Sequence, residues 1–223
     1  MQYQDSLVKI VDALNESIFY GKEFKKEQQE QALSLIAGRQ CRSGPHCGMF
    51  EPVEKDRQDG FRLFTGERLH TRLGPRNILS AESARLFVLF GMQNPAFRES
   101  HFRVNQKLLN SCFAADLCVV GECAHSGVGF MRYLAAGGTP DSEHRLKEHL
   151  RIMSGHRQEQ GGWKGYPFYY SVLVLMEIDL PEATAEIRHA AHACDKALHR
   201  THKNPDGYQH RRMTLLERAL CRC

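Results

Sequence analysis

Two stretches of this chain, residues 36–50 and residues 153–163, share one pattern. In both, a helical segment ends in a small residue and a glycine, an arginine and a glutamine follow, and the chain then reaches another glycine and an aromatic residue. A weaker copy occupies residues 119–130, and a further helical segment follows each copy. Because paired helices bury their apolar faces by stacking on neighbouring pairs, the pattern predicts an all-α fold of helical hairpins, arranged as an open solenoid or a closed ring.

The spacing of apolar residues predicts the helices on both sides of each copy. Leu7, Ile10 and Leu14, for example, recur at the interval that places them on one face of a helix. Asp5 or Ser6 is available to cap that helix. Strands do not alternate with helices along the chain, which disfavours a parallel α/β sheet. The predicted helices span residues 5–20, 23–37, 80–92, 105–120, 127–136, 142–154, 166–178, 182–200 and 209–220.

Residues 41–75 interrupt this series with glycines and prolines. They predict an irregular insertion with a short hairpin around Gly60, and loops of this length are often functional. With 42% hydrophobic and 25% charged residues, the 223-residue chain has the composition of an ordinary globular protein. We therefore expect a single helical domain, residues 1–223, whose core needs neither a disulfide nor a metal ion.

The sequence also bears on where in the cell we expect the protein to be found. Its start lacks the basic and apolar runs of a secretory signal, and its apolar stretches are far shorter than the ~20 residues that cross a bilayer. We therefore expect a cytoplasmic protein with no membrane span and with eight reduced cysteines. Cys112, Cys118 and Cys194 lie in apolar segments, where cysteine commonly packs as a small hydrophobic residue.

The formal net charge of +4 is mild, and the basic excess lies between residues 188 and 223. At this density a basic C-terminal helix is typical of a solvated surface, which disfavours nucleic acid as a partner. A structural interaction module that uses this helix is nevertheless one alternative function. Leu215, Leu216 and Leu220 in the same segment are candidate contacts of a homodimer.

Residues 158–163, with the sequence QEQGGW, and the helical segment after them resemble the glutamine–tryptophan repeat of α/α-toroid proteins. That family includes terpene cyclases and prenyltransferase β-subunits, and the resemblance extends over roughly residues 33–178. It implies a partial or complete α/α toroid in which the glutamine and the tryptophan tie the end of one helix to the start of the next. The chain lacks the Asp-x-Asp-Asp cluster of terpene cyclases, so the resemblance does not imply cyclase activity.

Aromatic residues follow the last copy of the pattern, and in a ring of helices they would line a central apolar cleft. Our leading hypothesis is a helical-repeat domain whose cleft binds a small apolar ligand or a peptide. Histidines from the other two copies of the pattern would supply polar contacts. Packing between helices is the alternative role for the aromatic residues. The predicted ligand-binding residues are His46, His125, Trp163, Tyr166, Phe168 and Tyr169.

The first and middle copies also contain cysteine and histidine, the side chains that zinc prefers. A zinc-assisted enzyme that uses these two copies is therefore one alternative function. Another is a thiol-dependent enzyme in which a neighbouring histidine lowers the pKa of Cys47 or Cys123. Ordinary loop residues are the competing interpretation. The predicted zinc ligands are Cys41, His46, Cys47, Cys123 and His125.

Overall fold

The computed structural model describes residues 6–200 and 205–223 of the chain. This part of the chain forms eleven helices and no strand, so the all-α prediction is confirmed. Its extended pairings are three isolated antiparallel bridges, Gln40–Phe50, Arg62–Arg68 and Arg157–Trp163. The helices are α1 (Leu7–Tyr20), α2 (Lys26–Gly38), α3 (Glu54–Asp59), α4 (Leu73–Phe90), α5 (Pro95–Leu109), α6 (Cys112–Ala115), α7 (Glu122–Ala135), α8 (Ser142–Ser154), α9 (Phe168–Glu177), α10 (Pro181–Leu198) and α11 (Gly207–Cys221).

Local sequence signals explain where several helices begin and end. The Ser6 side chain accepts a hydrogen bond from the backbone N–H of Lys9 at 3.0 Å and so caps α1, as predicted. The alternative cap, Asp5, lies outside the described residues. Gly21 ends α1 at a φ of 64°, a left-handed conformation that glycine adopts without strain. Asn94 caps α5 in the same way as Ser6 caps α1, by accepting from the N–H of Ala96.

The longer helices pack in two groups. In the first group α1 contacts α4, α4 contacts α7, α7 contacts α9 and α9 contacts α11. The helices of the second group, α2, α5, α8 and α10, each contact the first-group helix that precedes them in the chain. Within the second group, α2 contacts α5 and α8 contacts α10. Consecutive helices thus alternate between the two groups along much of the chain.

The most extensive helix contact joins α4 and α7, and a glycine permits it. A Cβ atom on Gly129 of α7 would lie 2.8 Å from Cδ1 of Ile78 on α4, closer than real Cβ contacts allow. Around this contact the core is densely aromatic and aliphatic, in line with a helical stack that buries one face of each helix. Its largest fully buried apolar side chains are Tyr133, Tyr170, Phe50, Phe87, Phe113 and Phe130.

Residues 41–75 are less irregular than predicted. They contain α3 and the start of α4, which begins at Leu73 and not near residue 80. The predicted hairpin around Gly60 is reduced to the single bridge between Arg62 and Arg68. The glycines and prolines misled the prediction here because Pro75 lies in the first turn of α4, where its missing N–H leaves no hydrogen bond unmade.

The helix predicted over residues 105–120 is wrong in both position and length. The chain instead forms α5, which begins at Pro95, and the four-residue α6, which ends at Ala115. Pro95 was expected to follow the end of a helix, but it occupies the first position of the next one. A loop therefore replaces the last five residues of the predicted helix, 116–120.

Helix α11 turns its leucines inward. Leu215 and Leu216 are 2% and 1% exposed and belong to the core of the chain itself, so they are not available as dimer contacts, contrary to the prediction. Leu220 is half-buried against the same core. Among the described residues, no helix combines the length and the apolarity that a membrane span requires.

Candidate functional site

The two clear copies of the repeated pattern form similar corners. We call residues 39–50 the glutamine corner and residues 155–167 the tryptophan corner. Each contains a bridge that starts two residues after a glycine, at Gln40 in the first corner and at Arg157 in the second. The glutamine corner follows α2 and the tryptophan corner follows α8, so both connect a helix of the second group to a later part of the chain.

Each corner is also tied to the next helix of the second group. Gln40 donates from Nε2 to the carbonyl oxygen of Ser100 at 2.8 Å and accepts from Arg103 Nε at 3.1 Å, both on α5. In the tryptophan corner, Trp163 Nε1 donates to Glu186 of α10 at 2.7 Å, and Arg157 donates to the same carboxylate twice. The first tie is made largely of neutral groups, whereas the second is an ion pair with a buried acceptor.

The aromatic residues predicted to line a cleft pack against neighbouring side chains. Trp163 is 3% exposed and its ring stacks on Phe168, with 6.4 Å between ring centroids. Tyr166 packs on His156, and Tyr169 lies under the guanidinium of Arg212, 4.3 Å from its ring centroid. These contacts agree with the alternative interpretation, in which the aromatic residues fill space between helices.

The two predicted histidines have different surroundings. His46 is half-buried in the glutamine corner, where its carbonyl oxygen accepts from the N–H of Met49 at 2.9 Å. His125 lies on the first turns of α7, and burial lowers its pKa although the carboxylates of Glu122 and Glu67 oppose the shift. Its Nδ1 atom is buried and finds no hydrogen-bond partner in the part of the chain that the structure describes.

Of the five predicted zinc ligands, Cys123 alone joins a group of the kind a metal ion needs. Its sulfur and those of Cys112 and Cys118 all lie within 4.8 Å of one another, and this is the one such group among the described residues. The other four, Cys41, His46, Cys47 and His125, lie outside it. Cys112 is exposed and Cys118 half-buried, so treating them as buried hydrophobic residues was wrong, whereas Cys194 is buried as expected.

A second site, which the sequence analysis missed, is a network of charged side chains in the interior. Arg132 of α7 is completely buried and donates to Glu82 of α4 at 2.8 Å and to Glu177 of α9 at 2.9 and 2.7 Å. Tyr170 of α9 donates its hydroxyl hydrogen to Glu82. Arg85 of α4 donates to Glu177 at 3.2 Å. The network therefore joins the three helices α4, α7 and α9.

Helix α1 completes this network, and its charges balance. Asn15 donates to Glu82 at 2.9 Å and accepts from Arg85 at 3.0 Å. Burial would lower the pKa of Arg132, but Glu177 and Glu82 outweigh it and raise that pKa above its usual value. Burial would likewise raise the pKa of Glu177, but Arg132 and Arg85 hold it below its usual value. Arg132 and Glu177 are therefore both charged at neutral pH, and the network contains two arginines and two glutamates.

The arginines of the basic C-terminal helix face this interior or the loops around it. Arg211 donates to Asp12 at 2.8 and 2.7 Å and to Glu16 at 2.7 Å, and so links α11 to α1. The guanidinium of Arg211 also lies 4.3 Å from the ring centroid of Phe64. Arg212, Arg218 and Arg222 each donate to a backbone carbonyl oxygen elsewhere in the chain. These four cations are therefore already engaged within the protein.

A cavity of about 330 Å³ opens beside the charged network. Its walls come from all five helices of the first group, close to the C-terminal end of each. Most of the lining is apolar, and Arg85, Glu177 and Arg218 supply its charges. The lining residues are Ile18, Phe19, Arg85, Leu89, Ala135, Ala136, Leu173, Met176, Glu177, Leu215 and Arg218.

The donors at this cavity are not all used. Arg85 is 5% exposed, and its Nε atom is buried with no hydrogen-bond partner among the described residues. Arg218 donates from Nη1 to the carbonyl oxygen of Phe19 and packs over the Phe19 ring at 4.6 Å. Glu177, in contrast, accepts from two arginines. The cavity thus has spare donors and little spare acceptor capacity.

Comparisons with known proteins identify no relative of this chain. No family model matches it, and searches of curated proteins and of solved structures also give no match.

Proposed function

We propose that the protein is a small-molecule-binding domain in which α1, α4, α7, α9 and α11 form a toroid-like ring, and that the ligand occupies the cavity at the C-terminal ends of these helices. The ligand has an apolar body and a hydrogen-bond acceptor, such as a carboxylate. This proposal keeps the central cleft of the helical-repeat hypothesis but moves it away from the aromatic residues of the tryptophan corner.

The helix contacts support a ring. Neighbouring helices of the first group touch in the order α1, α4, α7, α9 and α11. The ion pairs of Arg211 with Asp12 and Glu16 then connect the last helix back to the first. Such closure leaves an axial space whose middle the charged network fills, so that a ligand has room only at an end.

The proposal rests mainly on the number of helices that line the cavity. A gap between two helices would be lined by two elements, but this cavity is lined by the C-terminal halves of five helices. Its volume of about 330 Å³ lies at the lower end of the range for small-molecule sites, about 300–1,000 Å³. The mainly apolar lining with a few convergent polar groups is also what such sites have in common.

The spare donors indicate the chemistry of the ligand. Among the described residues the buried Nε–H of Arg85 has no partner, and a buried donor left without one costs about 1–3 kcal/mol. The side chains of Arg85 and Arg218 both line the cavity, so a ligand carboxylate would be attracted to their positive charges. A cationic ligand would meet two arginines and only one carboxylate, which is already saturated by its ion pairs.

The test uses two probes with the same apolar chain and opposite charges, decanoate and decyltrimethylammonium, titrated below their micelle concentrations by isothermal calorimetry. We expect decanoate to bind more tightly. Ala135→Phe, which fills the cavity from α7, should weaken decanoate binding at least about 10-fold, or ~1.4 kcal/mol. Ala197→Phe on α10 is the matched control because Ala197 is also partly buried but lies outside the cavity lining.

Arg218→Gln tests the polar end of the site. It should reduce the preference for decanoate over decyltrimethylammonium while leaving the apolar contribution in place. Equal binding of the two probes, or decanoate binding that Ala135→Phe and Ala197→Phe reduce alike, would contradict the proposal.

A further inference from the structure

Three cysteines that are separated in sequence meet on one side of the start of α7. Cys112 is the first residue of α6, Cys118 follows α6 in a loop, and Cys123 lies in the first turn of α7. We call residues 110–123 the thiol corner. It connects α5 to α7 and overlaps the weakest copy of the repeated pattern.

The backbone of the thiol corner is folded so that the cysteines converge. The N–H of Asp116 and the N–H of Cys118 both donate to the carbonyl oxygen of Cys112, at 3.0 and 3.1 Å. Leu117, between them, has a φ of 51° and is the one non-glycine among the described residues with a positive φ. A leucine in this left-handed region costs about 1–2 kcal/mol. The tight turn returns Cys118 to the side of Cys112.

The sulfur positions match those of a metal site before any ion is present. The Sγ atoms of Cys112 and Cys123 are 3.6 Å apart, and the Sγ atom of Cys118 lies within 4.8 Å of both. Tetrahedral zinc holds each thiolate at about 2.3 Å, which places two thiolates about 3.8 Å apart. One pair therefore already has the required separation, and the third sulfur needs to move by no more than about 1 Å.

We infer that Cys112, Cys118 and Cys123 bind a zinc ion through three thiolates, with the fourth coordination position open to solvent or to an exogenous ligand. Cys112 is exposed, so an ion reaches the site without opening the core. Among the described residues no fourth cysteine, histidine or carboxylate lies close enough to complete the tetrahedron. Three protein ligands with one open position are the arrangement of catalytic zinc sites, whereas structural sites are closed by four.

Proton release gives the inference a second measurable consequence. Burial and the neighbouring thiols of Cys112 and Cys118 raise the pKa of Cys123 to about 12, so Cys123 is not an activated nucleophile. Zinc binds cysteine as the thiolate, so its binding must release thiol protons into the solvent, and affinity rises with pH.

The experiment uses the full chain, purified under reducing conditions and freed of metal with a chelator. Cobalt(II) is added as a spectroscopic substitute for zinc, and zinc is then titrated against it. We expect one cobalt ion per chain, thiolate-to-cobalt charge-transfer absorption, displacement by zinc, and release of more than one proton per zinc in weakly buffered solution.

Single substitutions locate the ion. Cys112→Ser, Cys118→Ser and Cys123→Ser should each weaken zinc binding by about 100-fold or more, because each removes one of three ligands. Cys41→Ser and Cys47→Ser are the matched controls, since they remove half-buried thiols from the glutamine corner. They should leave the affinity unchanged.

Three results would overturn the inference. One is a chain that binds no cobalt or zinc under these conditions. Another is binding that depends on Cys41 or Cys47 instead of the thiol corner. The third is a disulfide between Cys112 and Cys123 that forms in air in the reduced protein, at a rate that added zinc does not slow. The 3.6 Å separation of the two sulfur atoms would then reflect a redox pair. Circular dichroism of every variant shows whether a loss of binding comes from unfolding.

Discussion

The tryptophan corner and the thiol corner make equivalent connections in different ways. Each leads from a helix of the second group, α8 or α5, into a helix of the first group, α9 or α7. In the tryptophan corner the chain pairs with itself through Arg157 and Trp163, and both side chains donate to Glu186. Among the described residues of the thiol corner there is no such bridge, and three thiols occupy the turn.

The two corners are stabilised by different kinds of interaction. Glu186 is buried and accepts three hydrogen bonds, so the tryptophan corner is complete without any additional group. The thiol corner has weak thiol hydrogen bonds and a left-handed leucine in place of an ion pair. Zinc bound to the three cysteines would supply the cross-link that the carboxylate supplies in the other corner. We expect the following changes to affect the two corners differently.

The largest effect is expected from Glu186→Ala in the tryptophan corner. This substitution leaves the indole N–H of Trp163 buried without an acceptor and removes the ion pair of Arg157, at a cost of about 3 kcal/mol in the free energy of unfolding. Glu159→Ala, in the same corner but on an exposed residue, should cost less than about 0.5 kcal/mol. Urea denaturation of both variants measures the difference.

Glu186→Gln sharpens this result, because glutamine keeps an acceptor for Trp163 but removes the charge that Arg157 requires. Its cost should fall between those of the other two variants. If Glu186→Ala and Glu159→Ala had the same small effect, the carboxylate would not hold the corner and the contrast with the thiol corner would disappear.

The sequence could predict the parts of this contrast that involve residues close together in the chain, but not pairs of side chains that are far apart in it. Trp163 was predicted to tie helices together through its resemblance to the glutamine–tryptophan repeat, and its place at a corner is local information. Its partner, Glu186, lies 23 residues further along, in a helix with many other charged residues. Its spacing from Ala183, Ile187 and Ala190 places it on the apolar face of that helix, but the spacing does not identify Trp163 as its partner.

The thiol site was missed for a related reason. Apolar periodicity predicted a continuous helix over residues 105–120, which would have placed Cys112 and Cys118 on different faces. The chain instead leaves the helix at Asn110 and turns again at Leu117, a residue type that gives no signal for a left-handed conformation. The polar pair Asn110–Ser111 before Cys112 was the available hint of a break.

The charged network shows the same limit most strongly. Glu82, Arg132 and Glu177 come from three helices and are separated by 45 residues or more. Arg132 and Glu177 stand within or directly after apolar runs, which indicates burial but does not identify their partners. Only the packing of α4, α7 and α9 around one interior identifies them as buried partners.

The second largest effect is expected from zinc itself. At a free zinc concentration of 100 times Kd, binding to the folded chain alone adds about 2.7 kcal/mol to the free energy of unfolding. Hydrogen exchange should slow in residues 110–124 and remain unchanged in the tryptophan corner. Cys118→Ser, with zinc binding weakened about 100-fold, should reduce the added stability to about 0.4 kcal/mol or less and remove most of the protection. Equal protection of the two corners would mean that zinc acts on the fold as a whole and does not complete one corner.

A third effect, of about 2 kcal/mol, concerns the contact between the helices that carry the two corners. His149 lies on α8, which leads to the tryptophan corner, and packs on Phe130 of α7, which starts at the thiol corner. Burial, assisted by the charge of Arg145, lowers the pKa of His149 from 6.5 to about 4. The folded state therefore holds a neutral histidine that the unfolded chain protonates more readily.

The direction of the pH effect on stability follows from the difference between the pKa values of His149 in the folded and unfolded chain. The stability associated with neutral His149 is complete above pH 6.5 and is lost as the pH falls from 6.5 towards 4. Between pH 7 and pH 5 the metal-free protein should lose about 2 kcal/mol through this group. His149→Phe should remove that loss, whereas His144→Gln, at an exposed position on the same helix, should retain it. Identical pH profiles for the two variants would show that His149 is not the titrating group.

The smallest effects are expected from two glycines with open surroundings, one in each corner. Gly165 in the tryptophan corner has a φ of 84°, Gly121 before α7 has a φ of 56°, and no atom would lie within 4 Å of an added Cβ at either position. Replacement by alanine should therefore cost only backbone strain, about 1 kcal/mol at Gly165 and up to about 2 kcal/mol at Gly121, whose ψ of −131° lies outside the left-handed helical region.

The two variants should differ in zinc affinity, because Gly121 precedes Cys123 by two residues and sets the direction in which α7 begins. Gly121→Ala should weaken zinc binding and Gly165→Ala should not, although both lower the melting temperature. If zinc affinity followed stability in both variants, the thiol corner would depend on the global fold and not on the local turn that brings its three sulfur atoms together.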